Sequence, residues 1–276
     1  MLSITVGYQG VPGSFSEEAL NNYFPNDVDT KNYEQFEDVF TGLERGEIHY
    51  GVLPIENSST GAIASVYDCL NQHDCYIVGE TYVKPIQNLL GIKGSKIEEI
   101  KEVFSHPQGF EQSKTFLAKY SWRLVPYYNT ARSAEYIMQQ QNPVIGAIAS
   151  KKAADLYGLD VLAENINCNI HNTTRFIILG KSLKVNSFCD KISVVLSTKH
   201  TAGALYNALK HFADNNINML KIESRPVQHT PWEYYFYIDI EGNIEDPCIA
   251  KTVDQMKLDC HHFKLLGNYK KSVYSK

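Results

Sequence analysis

The chain has no block of basic residues. Its 26 Lys and Arg stand against 31 Asp and Glu among 276 residues, a formal net charge of -5, which argues against nucleic acid or an anionic membrane as the main partner. No apolar stretch approaches about 18 residues, and the start Met1-Leu2-Ser3-Ile4-Thr5-Val6 runs into turn residues without a basic segment and a long apolar one. Neither a membrane span nor a secretory leader is expected, and the expected location is cytoplasmic. Six cysteines, at 69, 75, 168, 189, 248 and 260, form no C-x-x-C pair and no zinc spacing, so reduced, mostly buried thiols are expected and a metal is not. The glycines make neither G-x-G-x-x-G nor a P-loop, which argues against a nucleotide. A small molecule is left as the natural ligand.

The length exceeds the usual single domain, so two or three compact units are expected. The first 180 residues alternate short apolar runs with helical periodicity, the mark of βα units and a mostly parallel sheet. Candidate strands are Ile4–Gly7, Tyr50–Leu53, Glu102–Ser105, Leu124–Tyr127 and Val144–Ile148. Candidate helices are Glu17–Tyr23, Tyr33–Arg45, Ala62–Asn71, Gln108–Lys119, Ala131–Gln140 and Lys151–Tyr157. The segment Lys181–Asp190 is polar and aperiodic, a linker. Beyond it the pattern predicts strand Lys191–Ser197, helix Gly203–Asn215, strands Asn218–Arg225 and Glu233–Glu241, helix Pro247–Leu258 and strand Phe263–Tyr269. That order is βαββαβ, the ferredoxin-like arrangement.

Polar residues gather where strands give way to helices: Tyr8 to Ser16, with Ser14 and Glu17 spaced as a capping box, then Pro54 to Gly61, Ser105-His106-Pro107-Gln108, Asn129-Thr130 and Ser150. Singly each reads as an ordinary N-cap. Together they suggest a cleft into which helix N-termini point, suited to a small anionic ligand. Glu56-Asn57-Ser58-Ser59-Thr60-Gly61 carries more polar groups than a cap needs. Asn172-Thr173-Thr174-Arg175-Phe176 sets hydroxyls and a guanidinium ahead of an apolar run, and Arg suits a two-bond grip on a carboxylate. Thr-Arg before a strand is otherwise a common loop end. His106 and His171 are the histidines best placed for acid-base work, although most histidines only pack or face solvent. In the second unit, Gly203-Ala204-Leu205 at a helix start and Glu223-Ser224-Arg225-Pro226 at a strand end are not explained by periodicity; a tight turn and a surface ion pair are the plain readings.

Taken together, these segments resemble prephenate dehydratase over nearly the whole chain. Gly7 to Ser16 resembles that family's first glycine-containing motif, with Ser14 where Thr or Ala is frequent. Pro54-Ile55-Glu56-Asn57-Ser58 is similar to its P-I-E-N-S signature, Ser105-His106-Pro107-Gln108 with Gln112 to its S-H-P-Q region, and Thr174-Arg175-Phe176 to its T-R-F signature. The carboxy-terminal unit resembles an ACT domain of the phenylalanine-sensing type. There are departures: Gln87 stands where the family has His before Leu89-Leu90, and Ala202 precedes Gly203 where Pro is usual.

The resemblance implies an α/β fold: a two-lobed, periplasmic-binding-protein-like catalytic domain over residues 1–182 and a βαββαβ (ferredoxin-like) ACT domain over 191–270. It implies a lyase of the monofunctional form that converts prephenate to phenylpyruvate without a cofactor, with arogenate dehydratase as the close alternative. A non-catalytic amino-acid sensor is the alternative of another class. The implied catalytic set is Thr174, Arg175 and Phe176, with Ser14, Glu56, Asn57, Ser58 and Gln112 binding substrate and Arg175 clamping a carboxylate. L-phenylalanine would bind through Gly203, Ala204, Leu205, Glu223, Ser224, Arg225 and Pro226 at an interface of a homodimer or homotetramer.

Overall fold

The computed structural model describes residues 3–273 apart from Asn26 and His229, so the first two residues of the expected catalytic domain lie outside it. The chain begins with β1 (Thr5–Gln9), α1 (Phe15–Tyr23), β2 (Asp29–Tyr33), α2 (Phe36–Glu44), β3 (Tyr50–Asn57), β4 (Gly61–Ala62), α3 (Ala64–Gln72) and β5 (Tyr76–Val83). It then crosses into a second lobe: β6 (Asn88–Gly91), β7 (Glu102–Ser105), α4 (Pro107–Gln112), α5 (Lys114–Leu117), β8 (Arg123–Pro126), α6 (Thr130–Gln140), β9 (Ile145–Ala149), α7 (Lys151–Tyr157) and β10 (Asp160–Ala163). Strand β11 (Thr174–Gly180) returns to the first lobe, where it lies antiparallel between β3 and β5. Two connections, after β5 and before β11, therefore join the lobes.

The two-lobed α/β fold is present, but the sheets expected to be mostly parallel are two mixed sheets. In the second lobe the order is β10-β6-β9-β7-β8, with parallel pairs only around β7. The difference arises because β5, β6 and β10 do not follow the βα rhythm, and their returns run antiparallel. Expected helix Gln108–Lys119 is broken at Ser113 into α4 and α5, and Tyr33, expected to open a helix, closes β2.

The remainder is β12 (Lys191–Thr198), α8 (Ala204–Asp214), β13 (Met219–Pro226), β14 (Tyr234–Glu241), α9 (Pro247–Asp259) and β15 (Cys260–Tyr269). Its strand order, β13-β14-β12-β15, continues into β5 of the first lobe, so one sheet runs through both units. The βαββαβ order expected from periodicity is present. The helices pack on one face over Ile192, Val194, Leu196, Phe212, Ile238 and Met256. From the other face Val195, Tyr237, Leu266 and Tyr269 share a core with Phe40, Leu53 and Leu70 of the first lobe. All six thiols are free, but only Cys69, Cys75 and Cys189 are buried; Cys168 and Cys248 are exposed and Cys260 half-buried, so the expectation of mostly buried thiols is corrected. No helix among the described residues is long and apolar enough to cross a membrane.

The seam between the two parts of the large sheet is narrow. β15 and β5 pair in parallel only at Gly267 and Ile77, and a Cβ on Gly267 would lie 2.2 Å from the Ile77 carbonyl oxygen. A backbone atom cannot retreat as a flexible side chain can. Gly267→Ala is therefore expected to destabilise the protein by about 1–3 kcal/mol, the range for overpacking, as read by urea denaturation. An unchanged denaturation midpoint would show that the seam tolerates separation.

Candidate active site

A cavity of about 370 Å³ opens between the lobes. From the first lobe it is lined by the β1–α1 loop (Gln9, Gly10, Ser14), the end of β3 (Asn57), Thr60 and the start of β11 (Thr174, Phe176). From the second come His106, Gln108 and Gln112 around α4, and Tyr128, Asn129 and Thr130 ahead of α6. Gln87 lines it from the connection between the lobes.

Each lining loop has a local cause. Gly10 and Gly13 sit at positive φ, +121° and +84°, which lets the β1–α1 loop double back before the helix. Ser14 caps α1 by accepting from the Glu17 N–H at 3.4 Å, while the Glu17 carboxylate accepts from the Gly13 N–H at 2.9 Å, one residue earlier than the expected box. The Ser150 hydroxyl donates across the lobes to the Gly13 carbonyl at 2.8 Å. His106 caps α4, its Nδ1 accepting from the Gln108 N–H at 3.2 Å, and Asn129 caps α6 through the Arg132 N–H at 2.7 Å. Because Nδ1 is an acceptor there, His106 is neutral with its proton on Nε2, and burial lowers its pKa below the ordinary value.

Thr174 and Asn57 meet at the floor. They are paired residues on adjacent strands, both buried, and the Asn57 amide Nδ2 donates to the Thr174 hydroxyl at 3.0 Å. The orientation of that amide is set by backbone donors: its Oδ1 accepts from the N–H groups of Ser59 at 2.9 Å and Thr60 at 3.1 Å. The Thr174 oxygen is thus held as an acceptor, which leaves its own O–H to donate to a bound molecule.

Period-two alternation along β11 sends Thr174 and Phe176 to the cleft and Arg175 to the opposite face. The carboxylate-clamp expectation for Arg175 is therefore corrected, because its guanidinium does not line the cleft. Its Nη1 lies 2.6 Å from Asp239 and 3.4 Å from Glu80, and its Nη2 lies 3.2 Å from Glu56. Lys191 lies 2.8 Å from Glu80 and 3.4 Å from Asp239, and Lys221 lies 2.8 Å from Glu56. Burial pushes Asp239 up, but Arg175 and Lys191 outweigh it and hold the carboxyl at about 2. Burial disfavours the charge on Arg175, but Asp239 and its other anionic neighbours hold the guanidinium pKa well above its usual value.

Glu56 is on that same far face, and Ser58 borders the cavity there, its hydroxyl accepting from the Thr173 N–H at 2.9 Å. Of the expected substrate-binding residues, only Ser14, Asn57 and Gln112 line the cleft. His171, an alternative acid or base, is exposed and outside it. Sequence reasoning assigned no role to Gln87, which is buried against Gln112 with Nε2 donating to Gln112 Oε1 at 3.0 Å. Its signal was the departure from the family His. No Lys, Arg, Asp or Glu lines the cleft among the described residues. Charge there must be met by neutral donors and by helix N-termini.

Among the expected effector residues, Gly203 caps α8 at φ +80° with open space where a Cβ would be, and Ala204 and Leu205 form the first turn. Ser224 pairs with Phe236 on β14, and Phe236 pairs with Leu196 on β12, so both motifs lie toward the same end of the sheet. Ser224 and Pro226 are exposed, Glu223 is half-buried, and Arg225 forms a two-bond pair with Asp68 of α3 at 3.0 and 3.3 Å.

Comparison with known proteins agrees with this architecture. The family model for prephenate dehydratase matches residues 6–184. The chain is 36% identical to arogenate dehydratase/prephenate dehydratase 1 of Arabidopsis thaliana, over 96% of this chain and 72% of that one. It is 34% identical to the bifunctional chorismate mutase/prephenate dehydratase of Enterobacter agglomerans, over 96% and 70%. Among solved structures, prephenate dehydratase from Arthrobacter aurescens in complex with L-Phe superposes with a TM-score of 0.89 at 28% identity, covering 97% of this chain and 90% of that one. The chain belongs to the prephenate dehydratase family and is a lyase of that dehydrating type.

Proposed function

We propose that the cleft converts prephenate to phenylpyruvate and that Thr174 is the donor to the departing hydroxyl. The observation that carries this reading is the Asn57–Thr174 bond, which makes the Thr174 oxygen an acceptor on the buried floor of the cleft and leaves its O–H to donate. In the reaction the ring carboxylate leaves as carbon dioxide and its bonding pair enters the ring. The ring then expels the hydroxyl at C4, which takes up one proton to leave as water. Aromatisation supplies much of the driving force, so the protein must chiefly position the dianion and stabilise charge developing on that oxygen. A threonine hydroxyl is too weak an acid to surrender its proton outright, so Thr174 donates a hydrogen bond and the proton comes ultimately from water.

The N-terminal turns of α1 and α6, with Ser14, Gln112 and Thr130, would hold the substrate carboxylates. Arogenate is the second reading, favoured by likeness to the Arabidopsis enzyme; relative kcat/KM on the two substrates decides it. We further propose that L-phenylalanine inhibits by binding between two copies of the chain, at the Gly203 turn of one and the Glu223-Ser224 strand end of the other. Support comes from the complex of the Arthrobacter aurescens enzyme with L-Phe and from β13, an edge strand exposing Met219, Leu220 and Ile222.

Thr174→Ala is expected to fold normally and lose about a hundredfold in kcat, the scale for one transition-state donor, while Thr174→Ser retains most of it. Asn57→Asp should be similarly impaired, because a carboxylate would accept the Thr174 proton instead of donating to its oxygen. Near-normal kcat in Thr174→Ala would remove Thr174 from the chemistry.

His106 gives a pH test. Its depressed pKa means the neutral ring stabilises the α4 cap fully above the ordinary value of about 6.5, and that contribution is lost as pH falls through the lower folded value. The acid limb of kcat/KM should thus lie below pH 6.5, and His106→Asn, which keeps a capping acceptor that does not titrate, should flatten it. An unmoved limb would assign it elsewhere.

For regulation, Gly203→Val is expected to abolish phenylalanine binding by calorimetry while basal kcat stays near wild type, because its side chain would occupy the open space beside the turn. Binding as tight as wild type would place the effector elsewhere.

A further inference from the structure

Six charged side chains meet between the far face of β3, β5 and β11 and the C-terminal unit. Glu56, Glu80 and Arg175 come from the lobe; Lys191, Lys221 and Asp239 come from the unit. Of these six the lobe supplies one net negative charge and the unit one net positive charge, and Glu223 lies 3.8 Å from Lys221 at the edge, so each part supplies counter-charge to the other. The Ser193 hydroxyl donates to Asp239 at 2.6 Å and lies 2.9 Å from the Tyr269 hydroxyl. Among the described residues Arg175 Nε has no hydrogen-bond partner, so the guanidinium is held by its terminal nitrogens, Nη1 by Asp239 and Glu80 and Nη2 by Glu56.

These residues are the immediate neighbours of the proposed catalytic pair. In the ladder Thr174 is opposite Asn57 and Arg175 is opposite Glu56, so one pair faces the cleft and the next faces the C-terminal unit. The register slips directly after Arg175: Phe176 pairs with Pro54 and leaves Ile55 as an extra residue on β3. A bulge interrupts the ladder, and proline brings no N–H to it, so backbone bonding constrains this stretch less than a regular pair would. β11 keeps a regular ladder with β5 through Thr174, Arg175 and Phe176 and the end of β3 pairs with β4, so side-chain contacts on the far face add to backbone bonding in setting β3 against β11.

We propose that Arg175 and Glu56 are positioning residues through which Asp239 and Lys221 of the C-terminal unit set the placement of Thr174 and Asn57 in the cleft. The proposal rests on the reading of Thr174 as the donor. It explains why an Arg buried away from the cleft directly follows that Thr. It also links the edge strand to turnover: Lys221, Glu223 and Arg225 alternate toward the first lobe, Lys221 grips Glu56 and Arg225 grips Asp68. Any shift of β13 is therefore delivered to the residue next to Asn57.

The test uses the full chain with steady-state turnover of prephenate and urea denaturation alongside. Asp239→Asn keeps the shape and removes the charge; Lys221→Gln, nearer the surface, serves as well if the first fails to fold. Each is expected to lower kcat about tenfold or more with KM within about twofold, the pattern for losing transition-state alignment. In a Thr174→Ala background the same substitutions should change the residual rate by less than about twofold, since no donor is left to position. Equal losses in both backgrounds would show a merely structural cluster and overturn the proposal. A raised KM at unchanged kcat would show that the cluster acts on ground-state binding and not on alignment, and also overturn it. Wild-type kcat in Asp239→Asn and Lys221→Gln with an impaired Thr174→Ala would overturn the positioning role alone. A fully active Thr174→Ala would instead overturn the reading of the cleft, and this proposal with it.

Discussion

A strand turns successive side chains to opposite faces, and β11 meets a different neighbour on each. Thr174 and Phe176 belong to the cleft; Arg175 between them belongs to the C-terminal unit. A hydroxyl and a guanidinium adjacent in sequence therefore cannot act on one ligand. The cleft is left without ionised residues among the described lining, and the charges gather behind it. Each half depends on the other. Glu80, Arg175, Lys191 and Asp239 are buried because the C-terminal unit meets the first lobe there, and that contact continues through a shared core that includes Val195, Tyr237 and Leu266.

A neutral cleft suits the chemistry proposed for it. Fixed cations would bind a dianion tightly in the ground state and would hold the charge that decarboxylation has to disperse. Binding that is equally strong in ground and transition states lowers KM without raising kcat. Helix N-terminal turns and amides supply partial charges instead, directed along bonds, and they weigh most where water is excluded. The carboxylate that departs as neutral carbon dioxide leaves its charge in the ring and then on the expelled hydroxyl, where a proton cancels it, so only a monoanion remains to be held.

Much of this was legible in the chain. Strand β7 and helix α7 match their sequence readings to the residue, because apolar run, cap and following turn agree there. Strand β2, Asp29-Thr30-Lys31-Asn32-Tyr33, was missed because it is a polar edge with four exposed residues and no apolar pattern to read. Strand β5 was missed because Gly79, Glu80 and Thr81 interrupt its apolar residues; Glu80 is there for the ion cluster and Gly79 for the Tyr23 ring, both set by distant parts of the chain. In the cleft, Ser14, Asn57, Gln112, Thr174 and Phe176 were foreseen as a group. Arg175 was assigned to the wrong face because β11 is buried on both sides, and burial alone does not say which neighbour covers which side chain. Glu56 was misread with it, as its strand partner.

The join between units also bears on why ions, and not only apolar side chains, were placed there. Apolar surfaces slide over small distances at little cost, since their attraction is not directional. A charge-assisted hydrogen bond at 2.6 Å loses strength within a fraction of an ångström, and an ion left unpaired in a dry site is strongly penalised. Burying Glu80, Arg175, Lys191 and Asp239, with Glu56 and Lys221 half-buried beside them, is a poor way to gain stability compared with filling the same space with leucine. It is a good way to make two arrangements of the units differ in energy. The sheet pairs across the seam only at Gly267 and Ile77, so the shared core and the ion cluster carry most of the join between the units, and the cluster is the directional part of it.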